Sequence, residues 1–202
     1  KGSEEITISF IKRLEFFAAM RLYIVRHAQT VENATNICQG QLDTKLSPDG
    51  IRQAQDLALR LKDVRFDLAF TSDLSRAYDT LRHITEYHGK TEIFIIELLR
   101  EQHKGDFQGK CKSKRDCAIF GSYHEFMYPG FGGESMYHVR DRVEAFLGVL
   151  RKYENDDVRN VLIMSHGGPI MAMMTYLNGE DLSEYAKYKP KNCQIDIVDY
   201  EF

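Results

Sequence analysis

No apolar run in the 202-residue chain approaches the ~20 residues needed to cross a bilayer. A membrane partner is therefore not expected. The formal net charge of -3 supplies no general pull toward nucleic acid or an anionic surface. Any anion site must be local. The four cysteines, Cys38, Cys111, Cys117 and Cys193, form no CxxC pair and show no zinc-ligand spacing. Reduced thiols in a cytoplasmic protein are the simplest account. Clustered acidic residues of the kind that hold a metal are missing too, as are internal repeats and low-complexity stretches.

The length and the 43% hydrophobic content suit one domain with a sizeable core. Residues 1–19 stand apart from it. Residues 6–18 are fairly apolar and suit a short helix, but Glu4, Glu5 and Glu15 read poorly as a transit peptide. The expectation is an extension from upstream translation or vector sequence, with an ordered N-terminal helix as the alternative. The domain proper is expected over 20–202.

Within it, strand and helix signals alternate, which predicts an α/β layered fold. Leu22 to Val25 is a buried strand. Ser47-Pro48 caps a helix carrying Ile51, Ala54, Leu57, Ala58 and Leu61 at helical spacing. Residues 67–72 form a second strand. Leu74, Ala77, Tyr78, Leu81 and Ile84 make a helix that stops near Gly89. A third strand is predicted over 92–99. Ser135 caps a helix with Val139, Val143, Phe146, Leu147 and Leu150 inward. Val161 to Met164 is a strand, Pro169 starts a helix through Leu177, and 195–200 alternates like a half-exposed last strand. Residues 31–46 are too irregular for a helix. Residues 102–133, with glycines, aromatics and a basic patch, look like an insertion over the sheet.

Two strands end alike. Leu22-Tyr23-Ile24-Val25 runs straight into Arg26-His27, and Val161-Leu162-Ile163-Met164 into Ser165-His166-Gly167-Gly168. In open α/β sheets ligands bind at the carboxyl ends of strands. An arginine there selects an anion through its planar fork, and a histidine beside it can be nucleophile or acid/base. Arg76, in the first turn of its helix, lies near backbone donors that favour phosphate. Glu101 follows the third apolar run. Taken singly, each has a plainer reading: a structural histidine, a surface ion pair for Arg76, a structural partner for Arg100 or another arginine in the case of Glu101. Together the residue types fit phosphoryl transfer. Guanidinium neighbours keep a histidine nucleophile unprotonated and hold the phosphoryl oxygens. A carboxylic acid protonates the leaving alkoxide. Arginine and histidine donors make a divalent metal or other cofactor unnecessary.

Seven motifs, in order, resemble the histidine phosphatase superfamily in its phosphoglycerate mutase-like branch. They are Arg26-His27-Ala28-Gln29-Thr30 with Asn33; Gln39-Gly40 with Asp43; Leu46-Ser47-x-x-Gly50; Thr71-Ser72-Asp73-Leu74-x-Arg76-Ala77; Leu99-x-Glu101 with Gly105 and Gly109; Gly132-Gly133-Glu134-Ser135; and Ser165-His166-Gly167-Gly168. The resemblance covers about residues 20–179. It implies a three-layer sandwich with a mostly parallel central sheet and helices on both faces. It also implies His27 as the nucleophile that becomes phosphohistidine. Arg26, Arg76 and His166 would bind the phosphoryl group, and Glu101 would be proton donor and later base to water. Asn33, Gln39, Gly40 and Gly167 would line the substrate pocket. Ala28 stands where glycine is commoner. Gln29 stands where mutases tend to have an acid.

The expected function is a metal-independent phosphomonoesterase acting on a small phosphorylated metabolite, as a monomer or homodimer. The alternatives are a cofactor-dependent phosphoglycerate mutase and a catalytically silent phospho-ligand module. Lys104, Lys110, Lys112, Lys114 and Arg115 either attract a substrate with a second anionic group or form a solvated loop face. Tyr123, Phe126, Tyr128 and Phe131 either shape an apolar pocket or pack the insertion down.

Overall fold

Alternation within the apolar runs decides the layers. In strand β1 (Met20–Arg26), Leu22 and Ile24 join one core while Tyr23 and Val25 join another, and all four are buried. A strand buried on both sides needs a layer on each. The computed structural model describes residues 19–110, 132–154 and 158–201. The helix expected within 6–18, the cysteines 111 and 117, the basic residues 112, 114 and 115, and the four insertion aromatics lie outside the described residues.

Five strands form one sheet in the order β3-β2-β4-β1-β5, with β2 (Leu68–Thr71), β3 (Glu92–Ile95), β4 (Asn160–Ser165) and β5 (Ile195–Tyr200). The β1–β4, β2–β4 and β2–β3 pairs are parallel, and only the β1–β5 pair is antiparallel. Among the described residues five α-helices accompany them: α1 (Val31–Ala34), α2 (Pro48–Leu61), α3 (Ser75–Thr85), α4 (Met136–Leu150) and α5 (Gly167–Leu177). Helices α2 and α3 pack on the face bearing Tyr23, Val25, Ala69, Leu162 and Met164. Helices α4 and α5 cover Leu22, Ile24, Phe70 and Ile163 on the other. The expected three-layer α/β sandwich is what forms.

Local signals hold where a cap marks them. Ser47 Oγ accepts the Gly50 N–H at 2.9 Å to start α2, and Ser135 Oγ accepts the His138 N–H at 3.2 Å to start α4. Four boundaries differ. The stretch 31–46 contains the one-turn helix α1, held by a reciprocal cap between Thr30 and Asn33 and too short for any periodicity to show. Helix α3 closes at Thr85, before Gly89. Helix α5 begins at Gly167, two residues ahead of Pro169. The third strand ends at Ile95, and Glu97–Leu99 is a 3-10 turn. That last change has a topological cause: the chain must return from the sheet edge to its centre. The Ile96 N–H bonds the Thr71 carbonyl at 2.8 Å, and Ser165 Oγ–H bonds the Leu99 carbonyl at 2.8 Å. Apolar side chains follow the core along this path, so the sequence looks like a longer strand.

The chain leaves β1 toward the α2 layer and leaves β4 toward the α5 layer, so the loops diverge above adjacent parallel strands. This opens a crevice at their carboxyl ends, the position where α/β sheets bind ligands.

Phe70 has no exposed surface, and its ring lies 5.1 Å from Phe94, 5.5 Å from Phe146 and 5.8 Å from Tyr153, centroid to centroid. Phe70→Ala is expected to lower unfolding free energy by about 3–5 kcal/mol in urea titrations. A loss under ~1 kcal/mol would mean that this aromatic cluster is not part of the core.

Candidate active site

Pairing of β1 with β4 carries Arg26 opposite Ser165, and the His27 N–H then bonds the Ser165 carbonyl at 3.0 Å. The next residue of each strand end is a histidine. Their ring centroids are 5.0 Å apart, and both side chains are essentially buried.

Each ring has one nitrogen assigned by its partner. His27 Nδ1 lies 2.7 Å from the Ala28 carbonyl oxygen, which can only accept. Nδ1 therefore carries the hydrogen and Nε2 keeps its lone pair. His166 Nδ1 lies 3.2 Å from Arg76 Nε, which can only donate. There Nδ1 is bare and Nε2–H is the donor. That Nε2 is buried and has no hydrogen-bond partner, and the same is true of Arg26 Nε. The crevice thus holds a bare nucleophilic nitrogen and two unengaged donors.

Arg76 is 1% exposed. Its Nη2 donates to the Gly40 carbonyl at 2.7 Å, and Nη1 to the Leu42 carbonyl at 2.8 Å and Thr44 Oγ1 at 3.3 Å. Arg26 Nη1 donates to the Pro190 carbonyl at 2.8 Å. Burial lowers the pKa of both guanidinium groups, with Glu101 opposing, and Arg76 falls to about 10. Both stay cationic at neutral pH. Glu101 Oε1 accepts the Gln102 N–H at 2.8 Å and the Gly168 N–H at 2.9 Å, placing the carboxylate on the first turn of α5. Gly168 is required by that approach, since a Cβ there would stand 2.6 Å from Glu101 Oε1. Gly167 lies alongside, with Glu101 Oε2 3.5 Å from where its Cβ would be. Arg76 is no surface ion pair, and Arg100 is bonded to Asp73 while the Glu101 charge acts on Arg26 and Arg76.

Of the residues expected to line the pocket, three have polar atoms committed to the frame. Asn33 Oδ1 accepts the Thr30 N–H at 3.2 Å, Gln39 Oε1 accepts from Thr44 Oγ1 at 2.6 Å, and the Gly40 carbonyl holds Arg76. Lys104 is turned onto Gln102, and Lys110 stands 5.9 Å over the Phe107 ring. Several supporting residues escaped sequence reasoning. Thr80 Oγ1 accepts the Ala28 N–H at 3.0 Å and donates to the Arg76 carbonyl at 2.7 Å. Asn192 Nδ2 donates to the His27 carbonyl at 2.8 Å. Thr80 had a signal, being one turn after Arg76 on the same helix. Asn192 had none. Among the described residues, no group of three or more His, Cys, Asp or Glu side chains is arranged to hold a metal ion.

Comparison with known proteins adds to this geometry. The family model described as histidine phosphatase superfamily (branch 1) matches residues 22–202. The chain is 32% identical over 186 residues to a metal-independent phosphoserine phosphatase of Arabidopsis thaliana, covering 88% of this chain and 75% of that protein. It is 37% identical over 165 residues to a 2,3-bisphosphoglycerate-dependent phosphoglycerate mutase of Cytophaga hutchinsonii, covering 77% and 76%. A mycobacterial glucosyl-3-phosphoglycerate phosphatase structure superimposes with a TM-score of 0.79 at 32% identity, over 89% of this chain and 90% of that one.

Burial, Arg76 and Arg26 hold the His27 pKa well below the ordinary 6.5, and burial, Arg76, His27 and Arg26 do the same for His166. The unfolded chain therefore takes up protons at higher pH than the folded one. The histidines' contribution to stability is complete above about pH 6.5 and is lost as pH falls below it, by up to about 1.4 kcal/mol per pH unit for each group. Urea unfolding at pH 8 to 5 is expected to show this decline, with a shallower slope in His166→Asn. An equal slope in that variant would contradict the assignment.

Proposed function

The chain belongs to the histidine phosphatase superfamily (branch 1), and from that premise we propose that it is a metal-independent phosphomonoester hydrolase. The observation that carries the reading is the complementary tautomer pair. His27 offers a bare Nε2 beside His166 Nε2–H, near the buried Arg76 and the half-buried Arg26.

In this reading His27 Nε2 attacks phosphorus and the P–O bond to the alcohol breaks. Glu101 gives its proton to the departing oxygen. Arg26, Arg76 and His166 hold the three phosphoryl oxygens as charge builds on them, a task these fixed donors perform without a metal ion. Depressed basicity keeps His27 unprotonated and ready to attack at neutral pH. In the second half, the Glu101 carboxylate takes a proton from water, the water oxygen bonds phosphorus, and the P–N pair returns to His27. Asn33, Gln39, Gly40 and Gly167 border the substrate. Residues 20–202 act as one catalytic domain in this reading.

The proposed substrate class is a small phosphorylated metabolite. Relatives named for phosphoserine and for glucosyl-3-phosphoglycerate support it. The mutase relative supports a second reading, in which a phosphoglycerate rather than water accepts the phosphoryl group. Gln29 supports hydrolysis only in that it stands where mutases tend to have an acid. Its side chain accepts from Ser47 Oγ at 2.8 Å, bracing the start of α2.

Phosphate release should be measured with chelator present on phosphoserine, sugar phosphates, phosphoglycerates and p-nitrophenyl phosphate. Release is expected in wild type, together with an acid-labile phosphoryl label. His27→Ala should abolish both, and Glu101→Gln should slow turnover by about 10²–10⁴-fold. Phosphoglycerate interconversion that needs a bisphosphate primer, without net release, would establish the mutase instead. Undiminished release by His27→Ala would end the mechanism.

A further inference from the structure

We propose that Arg142, through its fork on Glu134, is the residue that positions Glu101 for proton transfer; this rests on the hydrolase reading above. Arg142 lies on α4, outside the crevice, and no substrate contact is assigned to it. Its guanidinium makes a two-point contact with Glu134, Nε to Oε1 at 2.8 Å and Nη2 to Oε2 at 2.9 Å. The remaining hydrogens go to the chain that delivers the acid. Nη1 donates to the Leu98 carbonyl at 2.6 Å and the Arg100 carbonyl at 3.0 Å, and Nη2 reaches the Glu101 carbonyl at 3.5 Å.

Glu134 completes the clamp from the other side. Its Oε2 accepts the His103 N–H at 2.8 Å and Gln41 Nε2 at 3.3 Å, while Gln41 Nε2 also bonds the Glu101 carbonyl at 3.0 Å. Its backbone carbonyl accepts Gln102 Nε2 at 2.7 Å. Backbone groups of four residues, 98, 100, 101 and 103, are thus fixed by one ion pair. Burial alone would raise the Glu134 pKa, yet Arg142 and the His103 N–H outweigh it and hold the carboxyl below its usual range.

The need for such a clamp follows from the route of the chain. Glu101 is not at the end of a strand. It comes after a 3-10 turn, on a segment with no sheet ladder to hold it. Its side chain must nevertheless meet the Gly168 N–H at 2.9 Å. Lysine has no planar fork and cannot serve five acceptors at once.

The test compares wild type, Arg142→Lys, Arg142→Met and Glu134→Gln on an alkyl phosphate and on p-nitrophenyl phosphate. p-Nitrophenolate leaves without a proton, so its first-turnover burst reports phosphorylation of His27 without acid help. In the variants the rate of that burst is expected to stay within about 3-fold. Turnover of the alkyl ester is expected to fall by about 10²-fold, the scale set by a displacement of ~1 Å at a catalytic group. Phosphoenzyme should accumulate, because its hydrolysis also uses Glu101. Arg142→Lys should not restore the rate. Equal loss of burst and alkyl turnover, or no loss of either, would overturn the proposal. Failure of all three variants to fold, seen by circular dichroism, would also overturn it by assigning the ion pair to the frame alone. Absence of a phosphohistidine in wild type would instead remove the hydrolase reading on which the proposal stands.

Discussion

A guanidinium with almost no exposed surface sits at the carboxyl edge of the sheet, and the surrounding chain is arranged to keep it charged. Arg76 collects two backbone carbonyls and a hydroxyl from the 40–44 loop, so that loop is wrapped onto the crevice. A buried cation that lost such partners would cost several kcal/mol. The same side chain decides the chemistry of its neighbour. Because Arg76 can only donate, it leaves His166 with its hydrogen on the other nitrogen. It also depresses the basicity of both histidines. Thr80, bonded to the Arg76 carbonyl, passes the constraint to the backbone of Ala28 and hence to the turn that presents His27. One residue thereby couples α3, the 40–44 loop and both strand ends.

What could be read from the chain divides along physical lines. Strand β4 and the residues after it were legible because a buried strand is a continuous apolar run, and polar residues at its end stand out. His27 and His166 stand out that way, whereas Arg76 is legible from its place in the first turn of a helix. The apolar run continues past the third strand because burial, not extension, dictates apolarity, and the 3-10 turn at 97–99 buries Leu99 as a strand would. Glu101 was identified as the acid candidate, but the means of holding it was not. Arg142 looks in the sequence like one charged residue on a partly exposed helix. Its role depends on carbonyls of three residues far away in the chain, and carbonyls have no sequence signature.

The comparison of hydrolase and mutase follows from the same geometry. A bare imidazole nitrogen, fixed donors and one carboxyl group would serve either acceptor, and under the proposed mechanism the two outcomes differ in what approaches His27 from the Glu101 side. Fold and core chemistry are shared across such relatives, and specificity belongs to the surrounding loops. Here Gly40, Leu42 and Thr44 are occupied in holding Arg76, and Gln39 in holding Thr44. This favours a pocket whose inner wall is set by phosphate recognition rather than by the rest of the substrate.

Of the described strands, the one that leads into His27 comes first in the chain, and both of its neighbours come last. β1 spans residues 20–26, while its two pairing partners begin at residues 160 and 195. Arg26 waits longer still, since its main chain is bonded by Cys193 and Gln194. A nascent chain that has reached only α4 has no strand on either side of β1. Such long-range closure is the slow part of folding. It makes assembly of the crevice a late step of folding, completed when β5 docks.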